Sequence, residues 1–363
     1  MEKKFLIEML PAKDGDCLLV SWGDDEKLHY MVVDGGRAGA YAPLKERLSD
    51  VAQKGEQLEL YVLTHIDADH IEGGLSYLKD RQKPIVPKRV WFNGYRQMVP
   101  SHRRSMTQGD DYSEQLEKLE WPLNSEFANG IVSMEDTLGV IDVAGLKITL
   151  LSPDKAHLSA LGEKWKEFRR ELEAKKEEKE REGMRGGRER PPIVEPITLE
   201  DLIADGELDP ELPNGTSIAF VAEWEGHRVL FGGDAHPDLL AASLAPLATA
   251  EGGRYRIDLY KASHHGSTKN TSRELIQLMD CSRMAVSTNG ALHGHPDPQS
   301  IARFIYFGPV GSKMIYFNYD TERTRPWDDE KTKAKYSYKT RFPPKDAGVL
   351  EIDVLADDLS PGS

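Results

Sequence analysis

The stretch Leu63-Thr64-His65-Ile66-Asp67-Ala68-Asp69-His70-Ile71-Glu72-Gly73-Gly74 constrains this chain more than any other. Two imidazoles and two carboxylates fall between His65 and His70. The apolar run Leu60-Tyr61-Val62-Leu63 ahead of them reads as a buried strand. Gly73-Gly74 behind them allow backbone to approach closely. The four polar side chains are therefore expected on a loop leaving the end of a strand. Imidazole nitrogen and carboxylate oxygen are the donors that hold divalent transition metals.

The same arrangement recurs downstream. Leu230-Phe231-Gly232-Gly233-Asp234 ends a strand with one carboxylate among small residues. Lys261-Ala262-Ser263-His264-His265-Gly266-Ser267 ends another with paired imidazoles, and Leu292-His293-Gly294-His295-Pro296 follows a third. Singly, each reads as a cap or a satisfied polar group. Together they set candidate ligands at one end of successive strands, the edge where α/β folds place their sites.

The remaining pattern supports that class. Strands are expected at 5–10, 17–22, 29–33, 60–63, 257–262, 284–287 and 313–317. Hairpins are expected over 137–143 with 146–151 and over 217–223 with 227–232. Leu44, Leu48 and Val51 predict a helix over 41–53, and further helices fall near 238–248, 271–280 and 298–305. Strand and helix in this rhythm argue for an α/β layered fold. Residues 94–136 are less regular and carry Arg96, His102, Arg103 and Arg104, read as a solvated loop or as a basic rim facing an anionic substrate.

Residues 153–213 differ from the rest. Leu158, Leu161, Trp165, Phe168 and Leu172 form one apolar stripe at helical spacing, and a mixed-sign charged run follows. The segment reads as an insertion whose stripe, within 155–190, docks a protein partner or a second copy. The divisions expected are therefore 1–152, 153–213, 214–320 and an extension over 321–363. In that extension Lys331, Lys333, Lys335, Lys339 and Arg341 alternate with Tyr336, Tyr338 and Phe342. Such a run binds single strands by charge and stacking or is an edge strand guarded by lysine.

Bulk composition narrows the function. The 363 residues carry a formal net charge of -14, which argues against strong nonspecific nucleic-acid binding. Two cysteines, Cys17 and Cys281, read as small buried hydrophobes. Glu8 and Pro11 interrupt the apolar start before it forms a secretory core, and no run is long enough to span a membrane. A reducing cytoplasm is the expected compartment.

Taken in order, Gly15-Asp16, Asp34-Gly35-Gly36, His65-x-Asp67-x-Asp69-His70, Asn214-x-x-Ser217, Gly233-Asp234, His264-His265-Gly266-Ser267 and Gly294-His295-Pro296 resemble the metallo-β-lactamase superfamily, and most of all its ComEC-type DNA-uptake domains. The resemblance covers about 5–320 apart from the insertion. It implies an αββα sandwich with two divalent metals at one edge. It implies His65 and Asp67 on the first metal, Asp69, His70 and His265 on the second, and Asp234 between them. His264 is the alternative to His265, since neighbours on a strand end point opposite ways. Asp16, Asp34, Asn214 and Ser217 are expected to support these ligands. Asp69, His264 and His295 are expected to take part in catalysis, and Lys261, Ser267 and Arg103 to contact substrate.

Two departures stand out. Asp67 replaces a histidine of the commoner superfamily loop, and Asn214-Gly215-Thr216-Ser217 stands where a further histidine ligand is usual. Oxygen-richer sites favour manganese or magnesium over zinc, so manganese is expected, with zinc or magnesium as alternatives. The function implied is a phosphodiesterase or nuclease using metal-activated hydroxide on DNA or RNA. The alternatives are hydrolysis of a small phosphodiester and a metal-bound effector subunit that works only with a protein partner.

Overall fold

The computed structural model describes residues 2–94, 108–137, 139–165, 167, 197–344 and 348–359. Arg96, His102, Arg103 and Arg104, and the stripe beyond Trp165, lie outside these residues. The strands are β1 (Lys3–Met9), β2 (Leu18–Asp24), β3 (Leu28–Val33), β4 (Gln57–Val62), β5 (Val90–Trp91), β6 (Ile141–Val143), β7 (Leu146–Ser152) and β8 (Ala219–Trp224). After them come β9 (His227–Phe231), β10 (Tyr255–Arg256), β11 (Leu259–Lys261), β12 (Met279–Asp280), β13 (Arg283–Val286), β14 (Lys313–Phe317), β15 (Tyr338–Arg341) and β16 (Leu350–Asp353). One large sheet runs β16-β1-β2-β3-β4-β5 and a second β15-β14-β13-β11-β9-β8-β7-β6, while β10 and β12 form a separate pair.

Alternating side chains divide each strand between two cores. Phe5, Ile7 and Met9 of β1 and Leu60 and Val62 of β4 meet Phe220, Ala222, Val229 and Phe231 of the other sheet. On the outer face of the first sheet, Leu58, Tyr61 and Leu63 pack on α1 (Tyr41–Gln53) through Leu44 and Leu48 and on α2 (Ala68–Lys79) through Leu75 and Leu78. On the outer face of the second, Ala219, Val221 and Leu230 pack on Leu240 and Leu244 of the helix Pro237–Ala250 and on Ile301 and Phe304 of the helix Pro298–Phe307. Both sheets are covered on both faces, which explains their near-continuous apolar runs. The layers run helix, sheet, sheet, helix: the expected αββα sandwich.

Several local expectations need correction. Asp69 and His70 are not on a loop, because α2 begins at Ala68 with Asp67 at its N-cap. The irregular stretch contains the helix Gln108–Leu119, whose Tyr112 and Leu116 are buried one turn apart. The stripe does not form a docking face as far as it is described: residues 155–165 are helical, and Leu161 and Trp165 lie in the core beneath the first sheet. The C-terminal stretch is no appendage either, since β15 pairs with β14 and β16 with β1.

The tail is also not a stacking surface. Lys333 pairs with Asp328 and Glu330, and Arg341 with Asp358. Tyr338 is buried with its hydroxyl donating to the Trp327 carbonyl. Its charges and rings serve the fold, as the edge-strand reading requires. Cys17 and Cys281 are buried and unpaired with each other. No described helix is long and apolar enough to cross a membrane.

Candidate metal centre

The centre lies where β4, β9 and β11 end. Glycines make the approach possible: a Cβ on Gly15 would stand 1.6 Å from the Asp69 carbonyl oxygen, and one on Gly73 1.9 Å from the Gly35 oxygen. The turns after β1 and β3 therefore press directly on the first turns of α2. On the other sheet, a Cβ on Gly233 would stand 2.4 Å from Ser217 Oγ.

Each imidazole is held by its Nδ1 side. His70 Nδ1 donates to Asp34 at 2.7 Å, and the same carboxylate takes the Thr64 backbone N–H at 2.7 Å and its hydroxyl at 2.8 Å. With the Thr64 hydroxyl directed at Asp34, its oxygen accepts from His65 Nδ1 at 3.0 Å. His265 Nδ1 donates to the Ser287 carbonyl at 2.9 Å and stands 3.4 Å from Asp16 Oδ1. His264 Nδ1 lies 3.0 Å from Asn270 Oδ1 and 3.3 Å from Asp209 Oδ2. A proton fixed on Nδ1 leaves the Nε2 lone pair for a cation.

The Nε2 atoms converge on Asp234. His65 Nε2 is 3.6 Å and His264 Nε2 3.7 Å from its Oδ2. His70 Nε2 is 3.3 Å and His265 Nε2 3.9 Å from its Oδ1. Asp69 Oδ2 reaches His265 Nε2 at 3.3 Å, and Asp67 Oδ2 lies 3.8 Å from His65 Nε2. Among the described residues four donor groups are tight enough for one ion: His65, His70 and Asp234; Asp69, His70 and His265; Asp16, Asp34 and His70; and Asp14, Asp69 and the exposed His293. The first two gather the Nε2 atoms. The buried atoms His65 Nε2 and Asp234 Oδ1 have no hydrogen-bond partner, which suits atoms that serve as metal ligands. The donor set fits divalent cations.

Charge is balanced across this cluster. Burial alone would raise the Asp234 carboxyl; the imidazoles of His264, His70, His265 and His65 outweigh it and hold the group well below the carboxylate range. Burial opposes charge on His265, yet Asp16 and Asp234 push it up to about 10. His70 is likewise raised, against its burial, by Asp234 and Asp34. Burial and the neighbouring His70 lower His65. The site thus demands positive charge among its carboxylates, as protons or as metal.

The structure brings together the predicted His65, Asp67, Asp69, His70, Asp234 and His265, with Asp16, Asp34, Asn214 and Ser217 around them. Ser217 Oγ accepts the Asp234 backbone N–H at 3.0 Å. His295 stands beside His264, ring centroids 5.2 Å apart. Two substrate assignments are corrected. Lys261 is buried with its ammonium donating to Asp16 at 2.7 Å, so it charges the layer under His265 and is not open to substrate. Ser267 is buried with Oγ accepting the Lys269 N–H, so it braces a turn. Arg103 lies outside the described residues. Sequence reasoning missed Thr64, Asp209, Asn270 and the Ser287 carbonyl, all of which hold an imidazole.

No family model matches the chain, and no curated protein matches it. Solved structures do. The metallo-β-lactamase fold protein YhfI from Bacillus subtilis is 12% identical, with a TM-score of 0.41, over 96% of this chain and 99% of that one. Zn(2+)-bound PqqB from Methylobacterium extorquens is 11% identical, with a TM-score of 0.39, over 94% and 87%. MEM-A1, a subclass B3 metallo-β-lactamase from a soil metagenome library, is 11% identical, with a TM-score of 0.28, over 71% and 79%. These likenesses are loose, and the layer assignment rests on the chain's own sheets.

Proposed function

We propose that the chain is a two-metal hydrolase of the metallo-β-lactamase type, acting on phosphodiesters and foremost on nucleic acid. One observation carries the reading: His70 Nε2 and His265 Nε2 face each other at 3.1 Å. Both rings already donate through Nδ1, so the facing Nε2 atoms need positive charge between or beside them, and a divalent cation supplies what a shared proton otherwise would. The ligand types support the same reading, because carboxylates and imidazoles without thiolate suit manganese as well as zinc. Manganese remains the proposed preference.

Bound there, divalent cations supply Lewis acidity: they acidify water and offset charge building on the oxygen under attack. The chain's residues do the rest. Asp34, Thr64 and Ser287 fix the tautomers. Asp234 holds the two halves of the centre in register. Asp69, at the start of α2, places a carboxylate beside His265. His295, next to His264, would give a proton to a leaving oxygen.

A small phosphodiester is the second reading. It is favoured by the engagement of nearby cations: Arg37 binds Asp14 at 2.6 Å and Lys261 binds Asp16, so neither is open to a polymer backbone. The full chain should be incubated with manganese and single- or double-stranded DNA, RNA, or bis(p-nitrophenyl) phosphate, beside Asp69→Ala and His70→Ala. Polymer cleavage lost in both variants supports nucleic acid. Cleavage of the aryl diester alone supports the second reading. Failure on every substrate with manganese, zinc and magnesium refutes the hydrolase.

A further inference from the structure

We infer that His264 is a ligand of the first cation, replacing the imidazole that the chain lacks at 214–217, and that Asp209 is its positioning residue. The inference rests on the two-cation reading above and asks which side chains complete it.

The sequence suggests only one ligand from the His264-His265 pair, because adjacent residues on a strand point to opposite faces. These two are not on a strand. They lie in the turn Ser263–Gly266 with φ of 46° and 54°, both left-handed. That backbone sends both rings to the centre, His265 to Asp234 Oδ1 and His264 to Asp234 Oδ2. His65 and His264 flank that second oxygen at 3.6 Å and 3.7 Å. These separations are too long for hydrogen bonds. Each is slightly longer than the separation of two donors sharing one ion, about 3–3.5 Å when each is about 2.1 Å from the metal; His264 lies just outside the tight group His65, His70 and Asp234 and would close onto it through the shared Asp234 oxygen.

Three other described histidines face groups away from this oxygen. His157 Nδ1 is on Asp154 at 2.7 Å, His236 Nε2 on the Glu211 carbonyl at 2.9 Å, and His227 lies 3.5 Å from Asp258.

The support behind His264 is built. Asp209 is buried, and its Oδ2 accepts Asn214 Nδ2 at 2.7 Å and Asn270 Nδ2 at 2.9 Å. The same oxygen lies 3.3 Å from His264 Nδ1. Asn270 also ties this group to the Asp234 carbonyl at 3.1 Å. The two amides anchor Asp209, and Asp209 with Asn270 takes the Nδ1 proton and keeps Nε2 bare. Asn214 is therefore scaffold where the superfamily pattern has a ligand. The carboxylate comes from the segment 153–213, which the sequence marks as inserted, so that segment completes the centre.

The test is zinc binding to the full chain by calorimetry, with metal content after dialysis. The parent should hold two ions. His264→Asn should hold one, since asparagine accepts the left-handed backbone but is too short to reach. Asp209→Asn should weaken that ion about 10–100-fold and spare the other. With cobalt(II), only one of the two absorption signatures should change in either variant. If the variants fold and hold two ions as the parent does, the inference is overturned while the two-metal reading survives. A parent that holds no ion overturns both. Should His264→Asn fail to fold, a crystal of the parent grown with zinc decides: anomalous density within about 2.2 Å of His264 Nε2 supports the assignment, and an ion beyond hydrogen-bond range of that atom overturns it.

Discussion

Replacing Asp34 by asparagine would test how the centre is tuned with little change of shape. Asp34 is fully buried and sits at φ 61°, a conformation asparagine tolerates. All its partners donate to it: the Thr64 N–H, the Thr64 hydroxyl and His70 Nδ1. An amide keeps one acceptor for the Thr64 N–H and turns its NH2 towards His70 Nδ1. His70 then has to accept at Nδ1 and carry its proton on Nε2, which closes the lone pair that faces His265. One charge-assisted hydrogen bond is lost, about 2 kcal/mol of metal-free stability. The larger effect is on the cations, about 10–100-fold weaker binding, or about 1.4–2.7 kcal/mol. Calorimetric titration with manganese and zinc, paired with urea unfolding of the metal-free protein, reads both quantities. Asp34→Asn binding both ions with parental affinity would refute the tautomer argument.

Two further outcomes are expected. Stability of the metal-free protein should fall as pH rises from about 6.5, the ordinary histidine value, through about 10 for His265. A histidine raised in the folded state stabilises fully below its unfolded pKa and loses that contribution across this interval. Melting temperatures between pH 6 and 10, with and without manganese, should diverge with rising pH, and a flat metal-free profile would contradict the electrostatics. Trp165→Ala should cost about 3–5 kcal/mol in urea unfolding and leave the sedimentation behaviour of the folded chain unchanged, since this part of the stripe is internal. A change in oligomeric state with little loss of stability would restore the docking reading.

Much of this was legible because local pattern and burial agree. Leu44, Leu48 and Val51 mark α1, and the apolar runs before Thr64, Gly232 and Ala262 mark strands whose ends meet. What stayed hidden depended on distance or on backbone that sequence does not announce. Lys261 looks like an open strand-end cation because its partner, Asp16, is 245 positions away. His264 and His265 look like alternating strand residues because nothing in their identity signals two left-handed conformations. Asp209 lies in the segment 153–213, which the sequence marks only as an insertion. Leu350-Glu351-Ile352-Asp353 does alternate, buried and exposed, but four residues are a weak signal beside a whole helix.

The pairing of His70 with His265 joins positions 195 apart, one on the helix packed against the first sheet and one in the turn that follows β11 of the second. A cation caught between them would act as a rivet through the sandwich, set only after both halves have docked. Such a fastener cannot guide early folding, but it resists late opening: at a hundredfold excess over its dissociation constant it adds about 2.7 kcal/mol. Chelation should therefore loosen the rim where the sheets meet before it disturbs either sheet alone.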